Sequence, residues 1–119
     1  EWLMFDKSIV TDELVAVRHY MYNQTDFAAI APRIIDSVTA SVDMNEILTR
    51  DKLATVTSPT LIFWTRNNPT MQWDVGKTAS EVIPNAEFYL MEEAGHWPQY
   101  EKPDEFHSVV IPFLLKANR

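Results

Sequence analysis

The chain has 119 residues, a hydrophobic share of 46% and four tryptophans, which is enough apolar mass for a packed core and argues against disorder. Its formal charge of −7, with no cluster of Lys and Arg, excludes a surface built for nucleic acid or an anionic membrane. No cysteine occurs, which excludes disulfides, thiolate-bound zinc and a thiol nucleophile, and no apolar run approaches the ~18 residues of a membrane span.

In chain order, Trp2-Leu3-Met4-Phe5 is an apolar patch closed by the polar Asp6-Lys7-Ser8. Thr11 suits an N-cap, with Asp12 and Glu13 in the first turn where the helix dipole favours acids. Leu14, Val17, Tyr20 and Met21 recur at helical spacing, which predicts an amphipathic helix over about 12–23. Asn23-Gln24-Thr25 breaks it. A second helix is predicted over about 26–41, with Phe27, Ile30, Ile34, Ile35 and Val38 on one side and Pro32 placed to delay its start or kink it. Residues 45–56 read as a weaker helical turn and a connector.

The texture changes at Ser58-Pro59. Thr60-Leu61-Ile62-Phe63-Trp64-Thr65 is apolar and β-prone on both faces, as a buried parallel strand requires. Asn67-Asn68-Pro69 is a turn signal. Residues 72–83 read as a helix closed by Pro84-Asn85, and residues 86–91 as a second strand. Pro103 suits the first position of a last helix, with Asp104 and Glu105 in its first turn. Phe106, Val109, Val110, Phe113 and Leu114 form its apolar stripe, and Pro112 predicts a bend near residues 108–112. The order strand–helix–strand–helix is a βαβ unit with a right-handed crossover expected. Two parallel strands do not make a stable sheet, so residues 58–119 are expected to form the edge of a larger one.

Between the second strand and the last helix lies Ala94-Gly95-His96-Trp97-Pro98-Gln99-Tyr100-Glu101. A histidine beside a flexing glycine, on a loop leaving a strand end, presents an imidazole to a partner group. This run resembles the catalytic-histidine loop of the α/β-hydrolases, in which G-H-W-P/A-Q-x-E is a frequent form. Residues 5–18, Phe5-Asp6-Lys7-Ser8-Ile9-Val10-Thr11-Asp12-Glu13-Leu14-Val15-Ala16-Val17-Arg18, are similar to the F-D-x-S-x-x-T-x-E-L-x-x-x-R of one branch's lid. That branch is the meta-cleavage product hydrolases, which cleave a carbon–carbon bond in ring-fission products of aromatic degradation.

The resemblance implies an α/β fold: the C-terminal portion of an α/β-hydrolase with part of a helical lid. Residues 1–57 are then lid helices and connector, and residues 58–119 the last βαβα segment of the core. The superfamily's nucleophile elbow, G-x-S-x-G, is absent, and Gly76 and Gly95, the only two glycines, cannot build it. The nucleophile is therefore expected on an N-terminal portion of the same enzyme, which becomes this chain's partner, and the chain alone is expected to be inactive. The start at Glu1, without methionine or a signal-peptide pattern, reads as a processed, cut or cloned piece. On this reading it is about 40% of an enzyme of under about 300 residues, within the range open to one α/β domain.

The implied reaction is serine-dependent hydrolysis of a small-molecule vinylogous diketone in the cytoplasm, without cofactor or metal. An esterase-type fragment is the nearest alternative. A non-catalytic module, stable as a homo-oligomer or swapped assembly, is the other.

By the same resemblance His96 is the acid/base that takes the serine proton and later protonates the leaving group, and it also ketonises the dienol substrate. A lone loop histidine more often makes a structural hydrogen bond, and it is the surrounding motif that favours catalysis. Trp97 is a substrate-pocket wall or an ordinary core tryptophan. Arg18 matches the lid arginine that contacts the substrate's carboxylate or dienolate oxygens, where a guanidinium fork fits a planar carboxylate; otherwise it is a helix arginine paired with Glu13 or Asp12.

Asn68 occupies the triad-acid position, where the family carries aspartate. Its amide oxygen can accept an imidazole N–H, but it has no charge to stabilise imidazolium, and its NH₂ can favour the wrong tautomer. Three explanations stand: an acid on another strand end upstream, a weak enzyme, or Asp74 as the true acid. The first is preferred. His19 and His107 fall on predicted helices and match nothing, and no pair of histidines has metal-ligand spacing with a carboxylate. Glu92 and Glu93 read as strand-end surface charges. Trp2, Met4 and Phe5 are either lid-pocket lining or packing.

Overall fold

The computed structural model describes residues 2–41 and 49–117, and the chain divides into two compact units, Val10–Thr49 and Glu1–Ile9 with Arg50–Arg119. This division departs from a boundary at residues 57 and 58. The first nine residues group with the βαβα segment, because residues 3, 5 and 9 hydrogen-bond to the loop and short helix that follow its second strand.

The unit Val10–Thr49 contains α1 (Asp12–Tyr22) and α2 (Thr25–Ser41). Thr11 caps α1, its hydroxyl oxygen accepting the Leu14 N–H at 3.1 Å. Asn23 ends it, with Nδ2 donating to the His19 carbonyl at 2.7 Å. α2 starts at Thr25 and runs through Pro32. The proline therefore neither delays the start nor stops the helix, and costs it the bond to the carbonyl one turn back. Tyr22 and Phe27 meet across the corner with ring centroids 5.1 Å apart. The apolar stripe of α2 is open: Phe27, Ile30, Ile34 and Ile35 are 44–60% exposed. The Val38 side chain, and the predicted turn at residues 45–48, lie outside what is described.

The second unit holds a 3₁₀ turn (Lys7–Ile9), then α3 (Arg50–Ala54), β1 (Thr60–Thr65), α4 (Trp73–Val82), β2 (Ala86–Met91), α5 (Pro98–Glu101) and α6 (Pro103–Ala117). β1 and β2 pair in parallel, from Thr60 opposite Ala86 to Thr65 opposite Met91. Successive strand residues point to opposite faces, and the contacts follow that alternation. Phe63 meets Tyr89 at a tilt and Phe106 of α6 edge-on, at 5.1 and 5.0 Å between centroids. On the other face Trp64 lies against Gly76 of α4, so close that a Cβ there would fall on the indole, and Lys77 sits 5.6 Å over the Phe88 ring. A helix thus covers each face of the two strands.

The buried apolar side chains among the described residues are Met4, Ile83, Met91 and Ala94, all in this unit. α6 takes Pro103 at its first position and passes through Pro112 unbroken. Its stripe is shorter than expected: Phe106, Val109, Val110 and Phe113 are half-buried, whereas Leu114 is 52% exposed. The short α5 has no apolar period of its own and is not foreseen from spacing. Among the described residues no helix is long and apolar enough to cross a membrane.

Candidate active site

Parallel pairing in this register brings the carboxyl ends of β1 and β2, Thr65 and Met91, to the same edge. Open α/β sheets bind their ligands outside that edge. The two loops leaving it are tied side by side. Arg66 N donates to the Met91 carbonyl at 2.8 Å and Asn67 N to the Ala94 carbonyl at 3.2 Å. The buried Thr65 hydroxyl donates to the Gly95 carbonyl. Glu93, at φ 51°, takes the left-handed conformation that turns the chain out of β2. That turn does not fall on Gly95, whose φ is not positive.

This arrangement brings together Asn68 and His96, 28 residues apart in sequence: Asn68 Oδ1 lies 3.1 Å from His96 Nδ1. The same oxygen accepts the Thr70 N–H at 3.0 Å and the Thr70 hydroxyl at 2.8 Å. Thr70 Oγ1 is itself 3.4 Å from Nδ1. Asn68 is half-buried and His96 exposed, so the imidazole is held on one nitrogen and open on its outer side. Asp74 stands in the first turn of α4 and is exposed.

Glu101, a residue of the histidine motif to which sequence reasoning gave no role, organises the loop. Its Oε1 accepts the N–H of Gly95 at 2.8 Å and of Trp97 at 3.3 Å, while Oε2 accepts the Phe5 N–H at 2.8 Å. His96 N donates to the Leu3 carbonyl at 2.7 Å. The N-terminal patch and the histidine loop are therefore one hydrogen-bonded layer. Gly95 is required by its closeness: a Cβ would meet the Leu3 carbonyl and lie 2.8 Å from Phe5 N. Fixed spacing from His96 to a carboxylate was the available signal, but only the fold supplies Phe5 as its third donor.

Charge surrounds this edge. Arg66 clasps Glu92 at 2.8–3.1 Å and lies 4.4 Å over the Trp73 ring. The Arg66 hydrogen bonds hold the Glu92 carboxyl below the ordinary carboxylate range and raise the guanidinium in return. Lys102 donates to the Glu92 carbonyl at 2.8 Å and pairs with Glu93 at 3.7 Å. Both glutamates are thus surface charges held by cations.

Trp97 is half-buried, edge-on to Tyr100 with centroids 6.3 Å apart. Met4 is packed into the core, whereas Trp2 and Phe5 are exposed by 67% and 46%. His19 and His107 are exposed on α1 and α6. Arg18 belongs to the other unit, half-buried on α1, where its guanidinium hydrogen-bonds the Tyr22 hydroxyl and lies 4.7 Å over that ring. Its expected carboxylate partners Asp12 and Glu13 sit in the first turn of the same helix.

The profile of the alpha/beta hydrolase fold family matches residues 7–103. The chain belongs to that family. It is 30% identical over 115 residues to a 2-hydroxy-6-oxononadienedioate/2-hydroxy-6-oxononatrienedioate hydrolase of Dechloromonas aromatica, covering 93% of this chain and 37% of that enzyme. The chain thus spans less than two-fifths of the length of such relatives. Among solved structures, the meta-cleavage product hydrolase of Pseudomonas fluorescens superposes with a TM-score of 0.76 at 24% identity, over 98% of this chain and 43% of that one. The 2-hydroxy-6-oxo-6-phenylhexa-2,4-dienoate hydrolase of a Rhodococcus strain gives 0.81 at 18% identity, over 96% and 41%. These two likenesses establish the shared α/β-hydrolase fold.

Proposed function

We propose that this chain carries the acid/base half of a serine-dependent hydrolase that cleaves a carbon–carbon bond in a ring-fission product of aromatic degradation. The nucleophile comes from an N-terminal portion outside this sequence. The observation that carries the reading is the His96 imidazole at the carboxyl edge of the parallel strands, held on Nδ1 by Asn68 and open at Nε2. The α/β-hydrolase family and the names of the 30%-identical relatives support the substrate class.

His96 Nε2 takes the proton of the incoming serine and later returns one to the carbon leaving group. Water completes the reaction, giving one carboxylate and one dienoate. Asn68 is the triad-acid position and orients the imidazole without supplying charge. Arg18 receives the substrate carboxylate, and Trp97 lines the pocket. The helices α1 and α2, within residues 1–57, serve as lid.

The test pairs this chain with the upstream portion of its enzyme and follows a ring-fission dienolate and a neutral aryl ester. Turnover and fluorophosphonate labelling are expected only when both portions are present, with the dienolate preferred. Labelling of the 119-residue chain alone would reject the divided site. Preference for the ester would favour the esterase alternative.

A further inference from the structure

We infer that the Asn68–Thr70 turn is a positioning device that fixes the His96 proton on Nδ1 and leaves Nε2 as the free acceptor. Its use in catalysis rests on the hydrolase reading, whereas the tautomer follows from hydrogen-bond geometry alone. A backbone N–H can only donate. Thr70 N lies 3.0 Å from the inner atom of the Asn68 amide, and an NH₂ there would set donor against donor, so that atom is the oxygen. The Thr70 hydroxyl gives it a second donation at 2.8 Å.

With its NH₂ turned away, Asn68 offers His96 only an acceptor, 3.1 Å from Nδ1. An unprotonated Nδ1 would leave two acceptors facing each other, and an Nδ1–H makes the bond. Thr70 Oγ1 lies 3.4 Å from Nδ1; while its proton goes to Asn68 it can only accept from the same N–H. The Asn68 oxygen therefore selects one tautomer, and the Thr70 hydroxyl fits it.

The need for such a device comes from asparagine itself. A carboxylate presents an acceptor from either oxygen, but an amide rotated by half a turn presents a donor. Facing Nδ1, that donor would stabilise the Nε2–H form, which cannot take a proton from a nucleophile. Thr70 removes this second state. It recovers from a neutral amide the orienting part of a carboxylate's task, and leaves the charge part unfilled.

Long-range proton–nitrogen correlation spectra of isotopically labelled histidine rings read the tautomer directly, above the pH range in which imidazole is protonated. His96 is assigned by the signals lost in His96→Gln. The expected wild-type pattern is pyrrole-type at Nδ1 and pyridine-type at Nε2, kept in Asn68→Asp. Thr70→Val, which retains only the backbone donor, is expected to lose part of that pattern to the Nε2–H form. Asn68→Leu is expected to lose most of it.

A dominant Nε2–H form in the wild type overturns the inference. So does a wild-type pattern in both Thr70→Val and Asn68→Leu. Variants count only where the backbone amide spectrum keeps its dispersion, and an unchanged Thr70→Val overturns the role of Thr70 by itself, whatever Asn68→Leu shows. No turnover enters the readout, so an inactive two-portion enzyme with the Nδ1–H pattern would reject the functional proposal and leave this one intact.

Discussion

The two units hold their shape by different means. Within residues 10–24 side-chain bonds join residues three or four apart: Thr11 to Leu14, Arg18 to Tyr22, Asn23 to His19 and Gln24 to Tyr20. In the other unit Phe5 is bonded to Glu101 and Asn68 to His96, 96 and 28 residues apart. The first kind of structure is set by spacing and caps, and its apolar faces stay open at Phe27, Ile30 and Ile34. The second buries Met4, Met91 and Ala94 behind the loop that holds His96. Substitutions in the long-range unit should therefore act on the His96 loop and on stability together, while those in the helical pair, under the proposed lid role, should act on ligand affinity.

The sharpest break is His96→Ala in the two-portion enzyme. A base acts with its nucleophile as a unit, so turnover is expected to fall about 10⁴- to 10⁶-fold, with unchanged circular dichroism. Wild-type turnover would return His96 to a structural role. Asn68→Asp comes next. The sequence favours an acid on another strand end, whereas Asn68 sits 3.1 Å from Nδ1, where a second acid would have to displace it. In serine proteases the reverse change lowers turnover about 10⁴-fold, so Asn68→Asp is expected to raise it by one or more decades. No gain would point back to a remote acid.

The contrast also explains what was legible. Thr11, the 3.6-residue spacing and Pro103 mark helices within a few residues of where they form, because capping and burial act over one turn. The β-prone runs at 60–65 and 86–91 are read equally directly, and the parallel pair follows from the helix between them. The histidine motif was visible as a pattern. The sequence does not reveal that Glu101 gathers the Phe5 N–H as a third donor, since that depends on the fold bringing residue 5 beside the loop; the Thr70 bonds to the Asn68 amide span only two residues and are a local turn that spacing could have signalled. Nor did spacing reveal that the left-handed residue is Glu93 and not Gly95.

Gly95→Ala tests the long-range unit without touching the imidazole. Its Cβ would meet backbone atoms of Leu3 and Phe5, which cannot swing away as a flexible side chain would. A loss of about 1–3 kcal/mol is expected in denaturant unfolding, together with lower turnover as the loop shifts. A neutral result would mean that residues 3–5 dock loosely. Arg18→Ala probes the helical pair instead. Loss of a charge-assisted contact should weaken a carboxylate-bearing substrate by about 1.5–3 kcal/mol, roughly ten- to a hundredfold, and leave a neutral ester nearly unaffected. Equal effects on both substrates would return Arg18 to its contact with Tyr22.

The smallest expected effect is a pH dependence confined to the long-range unit. Arg66 lowers the folded pKa of Glu92, and Ser8 lowers that of Asp6; both carboxylates belong to this unit. A depressed carboxylate binds its proton more weakly in the folded chain than in the unfolded one. Its contribution to stability is therefore present above the unfolded pKa and is lost as pH falls through the folded value. Because Glu92 is solvent-exposed, the contribution is small and salt-sensitive. Glu92→Gln should lower the urea midpoint slightly at neutral pH, and its curve should converge on wild type once acid has neutralised the carboxylate. The neutral amide keeps the shape of the clasp and loses the charge that Arg66 holds, so convergence isolates the ion pair from packing against Trp73. An offset that persists at every pH would assign the Arg66 contact to packing alone.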